Sequence, residues 1–263
     1  MQNLKITVII TTYNEAHNIE AALLSVTNFA SEIIVVDSFS IDGTVEIISD
    51  KFPEVKLLHR TYSGPADQKN WTIPQAQNEF ILLMDADERA TPAMWQEIEN
   101  LMCQPDILKD AYWIGFTHFF MDQQVRYSGW QNDKTIRFIR RDKCRYNNNR
   151  VHEEIIMEGL SVGFLKSKFL HYTFKDAVHF VKKQVRYARW SAEDYDEATG
   201  HVTSYHLKVK PFFRFFKHYV IKLGFLDGNV GFIISSVAAW SVFMRYFFLL
   251  EKRKNLNGKS ENK

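Results

Sequence analysis

The chain has 263 residues, 46% of them apolar and 24% charged, with a formal net charge of +2. That length and composition support one large domain, or a domain with an appendage, and exclude global disorder. Two cysteines, Cys103 and Cys144, exclude a disulfide scaffold, offer no zinc-ligand set, and fit a reducing cytoplasm. The opening MQNLKITVIITTYNE reads as a polar lead into a strand, without the basic, apolar and cleavage regions of a signal peptide, so the cytoplasm is the expected compartment. Charge is unevenly spread. Residues 201–263 hold 11 Lys and Arg against three acids, a surplus of +8 that leaves −6 on the first 200 residues. A basic tail suggests a polyanionic partner, nucleic acid or an anionic membrane. A nucleic-acid protein is expected to be basic on its body too, and this body is acidic, so no nucleic-acid partner is expected.

In chain order, KITVIITTY (5–13) is an apolar, β-branched run and predicts a strand. A helix is expected over 14–30, capped by Asn14, with Ile19, Ala22, Leu23 and Val26 on one face. EIIVVDSFS (32–40) predicts a second strand, a short helix follows near Thr44, VKLLHR (55–60) predicts a third strand and EFILLMD (79–85) a fourth. TPAMWQEIENLM (91–102) is helical, with Thr91 as cap and Pro92 at the first position. Continuous apolar strands alternating with helices imply a parallel sheet covered on both faces, and ligands bind beyond the carboxyl ends of such strands. Thr11 to Glu15, Asp37 to Gly43, and Asp85 with Asp87 all fall at those ends. Residues 111–150 read as mixed strands and loops. Residues 174–198 read as an amphipathic helix with Ala177, Val181, Val185 and Ala188 on its apolar face.

Two Asp separated by one residue after a buried strand suit a hard divalent cation, Mg²⁺ or Mn²⁺, which prefers oxygen ligands and keeps positions open for phosphate oxygens. A polar strand terminus is the alternative reading of that spacing. No Walker-type phosphate loop and no GxGxxG after the first strand occur, which weighs against P-loop and dinucleotide enzymes.

VIITTYNEAHNI, IIVVDSFSIDGT, ADQKNW and FILLMDADE, in this order and spacing, resemble family-2 glycosyltransferases of the GT-A fold over roughly the first 100 residues. The resemblance implies an α/β, Rossmann-like, mostly parallel sheet flanked by helices, a UDP-sugar donor, a divalent cation and inversion at the anomeric carbon. It places Thr12, Tyr13, Asn14 and Glu15 in the nucleotide loop. Asp37 accepts from the uracil edge, and Lys69 approaches the diphosphate or uridine unless it is a solvated surface lysine. Asp85 faces ribose and metal, and Asp87 the metal-bound diphosphate. Asp42 contacts the nucleotide or caps its turn. The commoner pattern has two adjacent Asp after the second strand, where this chain has Asp37 and Ser38.

Inverting transfer needs a general base. NRVHEEI offers Glu153, helped by resemblance to members with a VHE segment. Asp133 in GWQNDK is the rival base, and His152 is a metal ligand, an orienting group or a structural histidine. In YSGWQNDKTIRFIRR, Trp130 offers a flat face to an acceptor sugar and Arg137, Arg140 and Arg141 offer phosphate contacts; the alternative is a core tryptophan on a solvated basic strand.

From Pro211 the tail interleaves Phe with Arg and Lys, and Val230–Met244 is an uncharged apolar run of 15 residues. The division expected is a catalytic domain over 1–200 and a basic, aromatic, helical region over 201–263 that associates with a membrane. Interfacial insertion is the first reading, a tilted span the second, packing on protein the third. KLGFLDGNVGF, a GGW-like SGW (Ser128, Gly129, Trp130) and VHE resemble one branch, the bacterial lipopolysaccharide core β-1,4-glucosyltransferases. That branch implies UDP-glucose, a lipid-linked heptose-containing acceptor and a place on the cytoplasmic face of the inner membrane. Another UDP-sugar for capsule, O-antigen or glycolipid synthesis is the alternative within the family; a catalytically silent scaffold is the alternative outside it.

Overall fold

The computed structural model describes residues 4–147, 154–174, 177–196 and 198–260. Its first unit comprises residues 1–117 and 132–171, and its second 118–131 and 172–263.

Four parallel strands build the first unit in the order β3 (Lys56–His59), β2 (Ala30–Asp37), β1 (Leu4–Thr12), β4 (Phe80–Asp85). The apolar runs continue without alternation because both faces are covered. Ile6, Val8 and Ile10 face one core with α1 (Ile19–Leu24), α2 (Thr44–Lys51) and α4 (Pro92–Met102). Ile9, Ile34, Ile81 and Leu83 face the other, with Ala66 of α3 (Pro65–Thr72). Beyond β4 the sheet continues through β8 (Lys134–Arg140), β6 (Ala111–Phe120), β9 (Val162–Phe174) and the two-residue β5 (Glu88–Arg89); β8 is antiparallel to both β4 and β6, β5 is antiparallel to β9, and β7 (Gln123–Val125) pairs antiparallel with β6.

Thr91 accepts from the Met94 amide at 3.2 Å and Pro92 opens α4, as its cap signature predicts. Ile19, Ala22, Leu23 and Val26 are all buried. Asn14 does not cap the first helix. It sits at φ 55° and accepts from the Ile41 amide, and α1 begins only at Ile19. An Asn tolerates that left-handed conformation where a branched residue would be strained.

In the second unit, α5 (Ala177–Asp194) buries Phe180, Ala188 and Ala192, while Val181 is exposed. The buried face is therefore rotated from the expected Ala177/Val181/Val185/Ala188 stripe. α5 carries apolar residues on several sides, so periodicity alone did not select the covered one. A helical run then passes through α6 (Lys210–Phe216), and a turn at Gly224–Asp227 leads into α7 (Gly228–Ser260).

This unit is stitched by Asp227. It is buried and accepts from the Arg126 amide at 2.9 Å, the Tyr127 amide at 3.0 Å and the Ser128 hydroxyl at 2.8 Å. The ring of His218 lies 3.1 Å from where a side chain on Gly129 (φ +90°) would begin, and its Nδ1 is 2.9 Å from the Ser128 carbonyl oxygen. The SGW and FLDG segments singled out in the sequence thus meet, and the packing accounts for both small residues. Asp227→Ala strands three donors at once and is expected to cost about 3 kcal/mol in denaturant unfolding. Faster amide exchange confined to Arg126 and Tyr127 would accompany it, and a change within ~0.5 kcal/mol would contradict this role.

Candidate active site

The carboxyl ends of β1, β2 and β4 bring the expected loops together. The Asn14 amide donates to Ser40 Oγ, the Glu15 amide to Thr44 Oγ1 and the Ala16 amide to Asp42 Oδ2. Asp42 also accepts from the Thr44 amide, so it closes the turn into α2. Burial pushes its carboxyl up, but the Thr44 hydroxyl and the Ala16 and Thr44 amides outweigh this and hold it below the usual carboxylate range. Asp37 is fully buried and accepts from the Ser40 amide at 2.9 Å, with His59 Nδ1 at 3.5 Å. Thr12 is buried, whereas Tyr13 is exposed. Glu15 Oε2 accepts from the Asn18 side chain at 2.8 Å.

Asp85 sits at the end of β4 among cations. Its Oδ2 is 2.6 Å from Arg137 Nη2, its Oδ1 accepts from Thr11 Oγ1 at 2.7 Å, and Lys69 Nζ lies 3.8 Å away. Burial raises this carboxyl, but the charges of Arg137 and Lys69 reverse the effect and hold it far below the usual carboxylate range. Lys69 is 3% exposed and lies 5.3 Å from the Tyr146 ring, so it is no solvated surface lysine. Arg137 is buried too. The same Nη2 reaches Glu88 Oε1 at 2.9 Å, and Glu88 Oε2 accepts from the Asp85 amide. Its Nε and Nη1 are buried without a hydrogen-bond partner among the described residues.

Glu88, 1% exposed, lies on β5 opposite His171 of β9 in an antiparallel register. His171 Nε2 is 3.4 Å from Asp87 Oδ2. One ligand atom from each of Asp87, Glu88 and His171 falls within 4.8 Å of the others. Two carboxylate oxygens suit a hard divalent cation, and the imidazole nitrogen favours Mn²⁺ over Mg²⁺, which prefers oxygen ligands throughout. Asp87 therefore lies where a cation fits, while both oxygens of Asp85, its expected companion ligand, are engaged by protein donors.

Burial pushes the Glu88 carboxyl up to about 7, against the attraction of Arg137 and with the help of Asp85. The unfolded chain releases this proton near 4.5 and the folded one near 7, so without a divalent cation stability should fall as pH rises between those values. The loss is at most about 3 kcal/mol. Asp85 is ionised throughout that window and adds no slope. Melting curves from pH 5 to 7.5 are expected to decline for the native chain and flatten for Glu88→Gln; parallel curves would contradict it.

The remaining expected residues are dispersed. Asp133 is exposed before β8, its carbonyl accepting from the Phe116 amide. Arg140 pairs with Glu79 and Asp110, and Arg141 with Asp142 and the carbonyls of Ala76 and Gln77. In the second unit, Trp130 is partly buried against His118 and Phe174, at ring-centroid distances of 5.3 and 6.1 Å. His152 and Glu153 lie outside the described residues. Glu88 and His171 were missed from sequence. Glu88 adjoins the DAD triplet and its acidity was visible, but His171 reaches the site only through strand pairing, which no local pattern reveals.

A curled mixed sheet with flanking helices, with its acid cluster at the carboxyl ends of the parallel strands, defines a GT-A glycosyltransferase. Residues 7–158 match glycosyl transferase family 2, and the chain belongs to that family. It is similar to a Rickettsia felis protein named as an uncharacterised glycosyltransferase, 28% identical over 286 residues, with 98% of this chain and 94% of the relative covered. It is also similar to the lipopolysaccharide core biosynthesis glycosyltransferase LpsC of Rhizobium meliloti, 25% identical, with 86% and 87% covered. Among solved structures it resembles residues 1–349 of S. aureus TarS in complex with UDP-GlcNAc, at 14% identity and a TM-score of 0.46, with 96% and 92% covered.

Proposed function

We propose that this glycosyltransferase moves a hexose from a UDP-sugar, UDP-glucose first among donors, with inversion onto an inner-core heptose of lipopolysaccharide. The observation that carries the reading is the assembly of Asp85, Asp87, Glu88, His171, Arg137 and Lys69 at one strand edge in a family-2 enzyme. Asp87, Glu88 and His171 are the residues that would hold a divalent cation, whose chemistry is to neutralise the diphosphate leaving group. The buried Nε and Nη1 of Arg137, without a hydrogen-bond partner among the described residues, and the nearby charge of Lys69 favour an oxyanion there as well. The loops carrying Thr12 to Glu15 and Asp37 to Asp42 form the nucleotide side.

In the reaction the acceptor hydroxyl oxygen bonds to the anomeric carbon as the bond from that carbon to the diphosphate breaks. The hydroxyl proton passes to a carboxylate, Glu153 by preference and Asp133 as rival, and UDP departs. The core acceptor is supported by the similarity to LpsC, and the basic, aromatic tail fits a peripheral enzyme at the cytoplasmic face of the inner membrane.

The test is a panel of UDP-sugars with Mn²⁺ and deep-truncated lipopolysaccharide ending at inner-core heptose, reading UDP release and acceptor mass. A gain of one hexose from UDP-glucose, abolished in Glu153→Gln while UDP still binds, is expected. Transfer from a different donor alone, or no transfer to this acceptor, would overturn the core-glucosyltransferase reading; near-native transfer by Glu153→Gln would overturn the base.

A further inference from the structure

The second unit leaves two apolar stripes uncovered. Along the helical run through α6, Tyr205, Val209, Phe212, Phe216 and Val220 recur at helical spacing and are all exposed, Phe212 at 70%. Along α7, Phe232, Trp240, Phe243, Phe247 and Leu250 do the same. The two helices pack on each other where Phe232 meets Phe215 and Tyr219, at ring-centroid distances of 5.7 and 5.8 Å. Exposed aromatic and aliphatic rows of this extent mark a protein or membrane contact.

Charge selects between them. Residues 201–226 contain no acid; Lys208 and Lys217 are exposed next to stripe residues Val209 and Phe216, whereas Lys210 donates to Tyr246 and Arg214 lies against His218. A second copy of the chain would bring like charges together across a self-complementary contact. An anionic lipid surface meets both features, with aromatic rings at headgroup depth and lysines reaching phosphates.

We propose that the α6–α7 hairpin is an interfacial anchor that lies flat on anionic lipid and does not cross the bilayer. α7 is long and apolar enough to span. Its flank argues otherwise: Phe180 of α5 clusters with Ile234, Ala192 clusters with Val242, Tyr246 and Leu249, and Arg253 bonds Asp196. α5 therefore accompanies α7 along this length and carries Lys182, Lys183, Arg186 and Arg189 with it. Each charge taken to the bilayer centre costs about 2.5 kcal/mol or more, whereas at the surface it costs little. This inference deepens the membrane reading above and is independent of donor and acceptor.

The experiment floats the full chain with phosphatidylcholine vesicles, with and without phosphatidylglycerol, in the absence of any sugar. Binding is expected only to the anionic vesicles and should weaken with salt. Lys208→Gln with Lys217→Gln should weaken it about 30-fold, at roughly one kcal/mol per cation. Phe212→Ser with Phe216→Ser should weaken it at least tenfold, with an unchanged melting curve because both rings are exposed. Three results would overturn the proposal: vesicle binding indifferent to both pairs of substitutions, no binding together with a stable dimer that the Phe substitutions dissolve, or resistance of the native membrane-bound chain to alkaline carbonate extraction. The last would make α7 a span. Because no sugar is present, failure here leaves the transfer reaction untouched.

Discussion

Arg137→Met is expected to cost about 3–5 kcal/mol of folding stability, the largest single loss in the first unit. The guanidinium bridges Asp85 and Glu88 through one nitrogen, at 2.6 and 2.9 Å, and all three groups crowd the end of β4. Removing it leaves Asp85 with the Thr11 hydroxyl and Lys69, at 3.8 Å, and Glu88 with the Asp85 amide and the charge of His171. Glu88 would then stay protonated to higher pH, because burial already disfavours its charge and the attraction of Arg137 is gone. Arg137→Met with Asp85→Asn should recover part of the loss, since with Glu88 protonated it is Asp85 that carries the charge left unpaired. A denaturant double-mutant cycle measures this. Independent, additive losses, or a single-variant change within ~0.5 kcal/mol, would contradict the bridging role.

Asp87→Asn is expected to lower transfer by about 10³-fold or more while the melting temperature stays close to native. Asp87 lies in a turn after β4, and one of its oxygens falls beside ligand atoms of Glu88 and His171 where a cation could be held. His171→Ala removes one ligand of three and should be milder, weakening Mn²⁺ about 10–100-fold. High Mn²⁺ is expected to restore much of the His171→Ala rate but little of the Asp87→Asn rate. Equal rates for Asp87→Asn and the native chain at limiting Mn²⁺ would remove Asp87 from the cation site.

The parallel half was legible because strands buried on both faces write themselves as unbroken apolar runs, and their polar ends fall at one edge by topology. Thr91 with Pro92, and the Ile19–Val26 stripe, are local signals that tertiary structure had no reason to override. Arg137 shows the limit. Strict alternation in TIRFIR would send Ile136 and Phe138 to one side and Arg137 to the other, but the β6–β8 register shifts here and Ile136 and Phe138 join different cores. A solvated or phosphate-facing arginine was the natural expectation, yet the site closes over that side and buries it. His171 and Glu88 meet through the β5–β9 register, a long-range pairing with no local trace. Asp227 was quoted only as part of a family-like segment; its work, holding Arg126 to Ser128, appears once the chain folds back.

The most direct measurement is a calorimetric titration of UDP into the native chain with and without Mn²⁺, repeated for Asp87→Asn. Tight, Mn²⁺-dependent binding is expected with the native chain, and at least a tenfold weakening in Asp87→Asn under the same Mn²⁺ concentration. UDP binding of equal strength with and without Mn²⁺, or unchanged in Asp87→Asn, would contradict a cation held by Asp87, Glu88 and His171 for a diphosphate leaving group.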